Sequence, residues 1–421
     1  VISVRKSLAA CVLLTASLFL QAALLPAEAV RFLYMKQSGY DLGDIVERAE
    51  SFRQKTGIRV NPVFVEYEDR YSLILQSAAR AIPDLDLILV DLIWVADFAD
   101  KGVIDPLPRA LEMRVQNGMV PQIYSAFGWK DRLWAIPFHI DFQMLYTNMD
   151  DMKRIGASAP PTTLEGLVRM ARKARTAGVV KFPIFESWRR QEVLTCELTW
   201  LVGAFGGSLV DSAGRVRCDS PEAVRALAFM VDLLGEGLAS PFSLESEENF
   251  VSEVFLAGDC MFTTNWSFLI RLLQKNDQPG IQDWRVSPIP VSESARAEGK
   301  RTASICGFEG LGVLSRSAHK EAAWRFAQYL GSPEFQARHL EFMPAWKEVW
   351  DWETARLQDP FLPIKQMQIA GLHYRPVHPR YRQISDVLQH WISQALHGQV
   401  TPAEALRDAQ VRIDQLTGGA P

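Results

Sequence analysis

Almost every motif that marks a reaction centre is missing from these 421 residues. There is no phosphate-cradling P-loop, no His-Glu-x-x-His metal helix and no Gly-x-Ser-x-Gly nucleophile turn. The stretch GFEGLG (307 to 312) carries three glycines in the reverse of the dinucleotide order, which suits close backbone approach better than a nucleotide. The seven histidines are scattered; His373 and His378 come nearest to a pair and lack the further ligands a metal needs. Cysteine is scarce, five in all, and Cys196, Cys218, Cys260 and Cys306 show neither metal nor redox spacing. Buried, unpaired thiols are expected, with disulfides left open. A basic excess is also absent, the formal net charge being −4, which argues against nucleic acid as a partner. No internal repeat and no low-complexity tract interrupts the chain.

The N-terminus has its own character. Arg5 and Lys6 precede a charge-free run from Ser7 to Ala27, and Ala27-Glu28-Ala29 places small residues at the −3 and −1 positions of a cleavage site. This pattern predicts a cleaved signal peptide over 1–29 and a secreted mature chain. The rival is an uncleaved membrane anchor, against which Gln21 and Pro26 interrupt the apolar run. LAAC (8 to 11) matches a lipoprotein signal by letter but precedes the apolar run.

What remains exceeds one hydrophobic core, so two lobes of about 150 to 250 residues are expected. RFLYM (31 to 35) reads as a strand; Ile45, Ala49 and Phe52 share a helical face that Gly57 ends; IRVNPVFV (58 to 65) reads as a strand again. A helix carrying Tyr71, Ile74, Leu75 and Ala78 leads to the strand DLILV (86 to 90). This βαβαβ run implies a parallel sheet covered by helices, with ligands approaching the C-terminal strand ends. After WAIPFHIDFQMLYTN (134 to 148) longer helices take over. Thr162-Thr163-Leu164-Glu165, Ser220-Pro221 and Thr401-Pro402-Ala403-Glu404 read as helix starts. VVKFPIF (179 to 185) is strand-like, and VSESARAEGKRTAS (291 to 304) reads as an exposed loop.

Aromatic and polar residues recur together where strands should end. Trp94 follows Asp91, Trp188 follows Glu186, and Asn265-Trp266 and Phe308-Glu309 repeat the combination. Sugars call for this chemistry, because their C–H faces stack on flat rings while their hydroxyls need acceptors and donors. Twelve tryptophans agree with it. Packing accounts for any single tryptophan more readily than a ligand role does; Asp91 also fits as a helix cap, and Glu309 as a solvated edge. Asp141, flanked by Ile140 and Phe142 and near Phe138, needs a partner if buried, whether from the protein or from a ligand.

In FRQKTGIRVNPVFV, PDLDLILVDLIWVADFADKGVIDPL, the segment from WAIPFHIDF to RMARKA, AFGGSLVDSAGRVRCDSPEAVRALAFM, FLAGDCMFTTNW and AAWRFAQYLGSPEFQ, the chain resembles the carbohydrate-type extracellular solute-binding proteins of ABC importers, relatives of maltose-binding protein. Their order and spacing carry the resemblance over nearly the whole mature chain. It implies an α/β, type II periplasmic-binding fold: two lobes, each with a mixed, mainly parallel sheet flanked by helices, joined by a multi-strand hinge. One lobe would comprise 30–140 and 303–343, the other 142–302 and 344–421. It implies a periplasmic monomer that binds a carbohydrate, without cofactor, metal or catalysis, and serves permease subunits in the inner membrane. The ligand contacts expected on this basis are Tyr40, Asp91, Trp94, Asp141, Glu186, Trp188, Asn265, Trp266, Phe308, Glu309, Trp346 and Arg375. Whether Trp266 or Phe268 forms the stacking platform stays open. So does an acidic, sulfonated or phosphorylated sugar or a polyol as ligand, given Arg189, Arg190 and Arg375. A glycoside hydrolase using Asp141 and Glu309 as acid and base is the rival of another class.

Overall fold

Strand β1 (Ala29–Lys36) lies between β2 (Arg59–Glu66) and β3 (Leu87–Asp91), parallel to both, in a computed structural model that describes residues 29–36, 42–275, 280–339 and 342–418. The expected leader and Tyr40 therefore lie outside the described residues, apart from Ala29. The helix Leu42–Thr56 connects β1 to β2 and buries Ile45, Ala49 and Phe52, the face its spacing predicts. The helix Tyr67–Ala79 connects β2 to β3 but buries Arg70, Ile74 and Ser77. An arginine thus takes the innermost place on a face expected to be apolar.

The ladder β4 (Gly128–Trp129) and β5 (Arg132–Leu133) turns through Lys130 and Asp131, both at positive φ (48° and 58°). Such a two-residue turn matches the twist of a hairpin. It leads into β6 (Ile136–Asn148), thirteen residues buried throughout. The first half of β6 pairs antiparallel with β9 (Ser304–Val313); its second half pairs antiparallel with β7 (Phe262–Trp266) and β8 (Trp284–Ser287). Strand β9 in turn pairs with β3 and, at its start, with the short β10 (Leu372–His373). The order β2-β1-β3-β9-β6-β7 is therefore one connected mixed sheet, its parallel part being β2-β1-β3 together with the β9–β10 contact. Two long strands shared by both halves make it continuous.

Buried apolar side chains form two clusters. One includes β1 to β3, the start of β6, and Ala323, Phe326 and Leu330 of the helix Lys320–Leu330. The other packs helices, through Leu167, Leu198, Met230, Leu388 and Ile413, against Leu145 of β6, Phe262 of β7 and Ile305 of β9. Ser220 and Thr401 cap their helices as expected, Thr401 with Glu404 in a full capping box. Two local readings are corrected. Residues 179–185 form no strand, only isolated bridges from Ile184 to Ala239 and Phe262; Pro183 has no N–H to give a ladder and contributes its carbonyl to Met261 and Phe262. The 291–304 segment is exposed only in its middle. Val291, Ser292 and Thr302 to Ser304 are buried, and Glu293–Ala297 is a helix capped by Ser292. Cys196, Cys218, Cys260 and Cys306 are buried free thiols.

Candidate functional site

Where β6 and β9 pass between the two halves, a cavity of about 740 Å³ opens. Its walls come from both. The ends of β1, β2 and β3 bring Lys36, Glu66 and Asp91, with Tyr67 and Trp94 just beyond; the other side brings Glu192, Glu248, Trp266 and Asp386. Asp141, Gly307 and Glu309 on the shared strands form its floor, and Arg375 lies beside them.

Cross-strand register sets this floor. Asp91 sits opposite Glu309, Asp141 opposite Gly307, and Gln143 opposite Trp266. Strand alternation then decides which neighbours face the cavity. Gly307 and Glu309 line it, while Phe308 between them is fully buried. Trp266 lines it, while Asn265 turns away and donates to the Glu248 carbonyl and Ser252 Oγ.

Two buried arginines organise the carboxylates. Arg70 forks onto Glu309, with Nη1 to Oε2 at 2.9 Å and Nη2 to Oε1 at 2.6 Å. The guanidinium also lies over the rings of Trp94 (4.7 Å) and Tyr67 (5.0 Å), a stacking geometry that suits arginine's flat cation. Burial pushes the Glu309 carboxyl up while Arg70 pulls it back. Arg375 reaches Glu192 at 2.8 Å, the Cys306 carbonyl at 3.1 Å and Asp91 at 3.6 Å. Asp91 also accepts from Tyr67 Oη at 2.8 Å and caps the next turn through Ile93 N, so the capping and cavity readings both hold. Asp141 Oδ1 accepts from Phe142 N, Ser267 N and Ser267 Oγ at 2.8, 2.9 and 2.6 Å. Burial outweighs these donors and pushes the carboxyl up to about 6.

Of the residues expected from sequence, Asp91, Trp94, Asp141, Trp266, Glu309 and Arg375 line the cavity. Glu186, Trp188, Asn265, Phe308 and Trp346 do not. Glu186 is spent one layer down, accepting from Thr264 N and Oγ1, and Trp188 packs beside it. Trp346 donates to the Gly331 carbonyl and presses against Gly118 in the core. Phe268 is core as well, so of Trp266 and Phe268 it is Trp266 that lines the cavity. Trp94 lies within a cluster with Tyr67, Tyr71 and Phe98. Sequence reasoning missed Arg70, Tyr67, Glu192 and Glu248. The one available signal was an arginine in register with Ile74 and Ser77.

Residues 36–337 match the model of the bacterial extracellular solute-binding protein family. A probable ABC transporter-binding protein of Deinococcus radiodurans is 25% identical over 411 residues, which cover 94% of this chain and 96% of that protein. The solved structure of maltose-bound T. maritima MalE3 is 26% identical with a TM-score of 0.84, over 93% of this chain and 100% of that one. A solute-binding protein of Thermotoga lettingae bound to α-D-tagatose shares the fold at 22% identity, with a TM-score of 0.80 over 92% and 99% of the two chains. The chain belongs to the bacterial extracellular solute-binding protein family.

Proposed function

We propose that this protein captures a sugar or sugar derivative between two lobes and delivers it to the permease subunits of an ABC importer. The observation that carries the reading is the cavity itself, walled from both halves at the crossing of β6 and β9 and combining the Trp266 indole with Asp91, Asp141 and Glu309. The maltose held by the MalE3 relative supports a saccharide as cargo. Lobe limits of 30–140 with 303–343, and 142–302 with 344–421, place Asp141 at the joint. A ligand touching both walls favours the shut form, because only that form offers all its contacts at once.

Binding without turnover fits the carboxylates. Both oxygens of Glu309 are held by Arg70, which leaves the acid–base pair of a glycoside hydrolase without its second member. The leader pattern of residues 1–29 supports export to the periplasm, and the protein is proposed to act there as a monomer. Among the described residues no helix is long and apolar enough to cross a membrane. A thermal-shift screen across mono-, di- and oligosaccharides, polyols and acidic sugars tests the reading, since a tight ligand raises Tm by mass action. At least one sugar is expected to raise Tm, and Trp266→Ala and Asp141→Asn to abolish that shift while remaining folded. A flat response to every sugar, or wild-type shifts in both variants, defeats the function or the site respectively.

A further inference from the structure

The charge of the cavity is lopsided. Nine carboxylates and four cations line it, and pairing does not cancel the excess. Arg70, behind the wall, is committed to Glu309. Arg375 is shared by Glu192 and Asp91, and Lys36 lies 3.5 Å from Glu66. Among the described residues, Asp141 and Glu248 line the cavity with no cation paired to either. Lys365, the cation felt by Asp141, is bound to Asp359 at 2.9 Å. The charges felt by Glu248 are those of Glu247 and Glu68, of its own sign.

These two carboxylates hold one dipeptide from its two ends. Asp141 Oδ1 receives the Ser267 amide and hydroxyl, and Glu248 Oε1 receives the Trp266 indole N–H at 3.2 Å. Asp141 is 5% exposed, and among the described residues its hydrogen bonds fall on Oδ1, so Oδ2 is left for the cavity. Two carboxylates without counterions that line one cavity with an indole suit an ammonium group, which combines charge pairing with attraction to an aromatic ring. A neutral sugar would donate hydroxyls to both carboxylates but leave their charge unbalanced, a state that each group relieves by holding its proton. Burial does push both upward.

We propose that the solute is a basic amino sugar whose protonated amine is received at Trp266 between Asp141 and Glu248. This rests on the sugar-binding reading and deepens it.

Isothermal titration at pH 7 tests it with matched pairs: glucosamine against glucose, galactosamine against galactose, and the β-1,4-linked glucosamine dimer against cellobiose. Spermidine serves as an amine without a sugar ring. At least one amino sugar is expected to bind tenfold or more tightly than its hydroxyl partner. The advantage should shrink as sodium chloride is raised and disappear in Glu248→Gln. At pH 6 its binding should release protons, read from heats that vary with the buffer, because the amine favours ionised Asp141. Equal or tighter binding by the hydroxyl partner overturns the proposal and leaves the sugar reading standing. Binding of spermidine with no response to any sugar supports the cation pocket and overturns the sugar reading. Failure of every amine overturns the proposal, whatever the neutral or acidic sugars do.

Discussion

Arg70 shows how a single side chain can organise a wall of the site. It is fully buried, forks onto Glu309 and stacks against Trp94 and Tyr67. Replacing such a pair by apolar groups is often tolerated, whereas removing one partner strands a buried charge. Arg70→Met is therefore expected to cost about 3–5 kcal/mol, read as a lower urea midpoint, and Arg70→Met/Glu309→Gln to recover part of it. A second buried pair carries a pH dependence. Glu186 and Glu197 share the Thr264 hydroxyl with no cation between them. Burial pushes Glu197 up to about 8, and burial with the Glu197 charge pushes Glu186 well up from the usual carboxylate range. An acid whose folded pKa exceeds its unfolded value binds its proton more tightly when native, so its stabilisation is lost as pH rises through that interval. The Tm of the ligand-free protein should fall from pH 6.5 to 8, and Glu197→Gln should flatten the slope. Below that window the buried His139 and His373, whose pKa values burial lowers, act in the opposite direction.

Among the elements, β7 and β9 meet through a glycine. A Cβ on Gly307 would lie 2.8 Å from Trp266 Cη2, and closer still to the adjoining ring carbon. The close approach of the indole to the β9 backbone thus depends on the absence of a side chain there. Gly307→Ala is expected to push the ring into the cavity and weaken ligand binding about tenfold, measured by titration calorimetry, with a stability loss of about 1–3 kcal/mol from overpacking. Much at this scale was legible in the sequence. The strands 31–35, 58–65 and 86–90 and the Ile45, Ala49, Phe52 face appear within a residue or two, because periodicity and punctuation are local. The 179–185 segment was not legible. Its apolar, β-branched letters suit a strand, but Pro183 and the absence of a continuous partner leave two isolated bridges, both at Ile184.

For the whole molecule, the contacts that matter join distant parts of the chain. Arg382 of the helix Tyr381–Leu396 lies 4.0 Å over the Tyr71 ring of the helix Tyr67–Ala79, and Arg375 links Asp91 to Glu192. These hold the two walls of the cavity together. Arg382→Ala removes an exposed cation–π contact of about 0.5–1 kcal/mol, so ligand Kd should rise about two- to fivefold. Small-angle scattering of the wild type is expected to show a smaller radius of gyration with ligand than without. Identical dimensions in both states would contradict closure.

By itself the chain determined the alternation of strand and helix, the helix starts, the absence of motif-borne chemistry and the concentration of carboxylates and tryptophans near strand ends. These properties depend on residues within a turn or two of one another. Only the tertiary structure decided which side of each strand end faces the cavity, turning Trp266 and Glu309 inward and Asn265 and Phe308 away. It also brought Arg70 to Glu309 across 239 positions of sequence. Both follow from cross-strand register and the meeting of remote segments, and neither is encoded in any local window of the sequence.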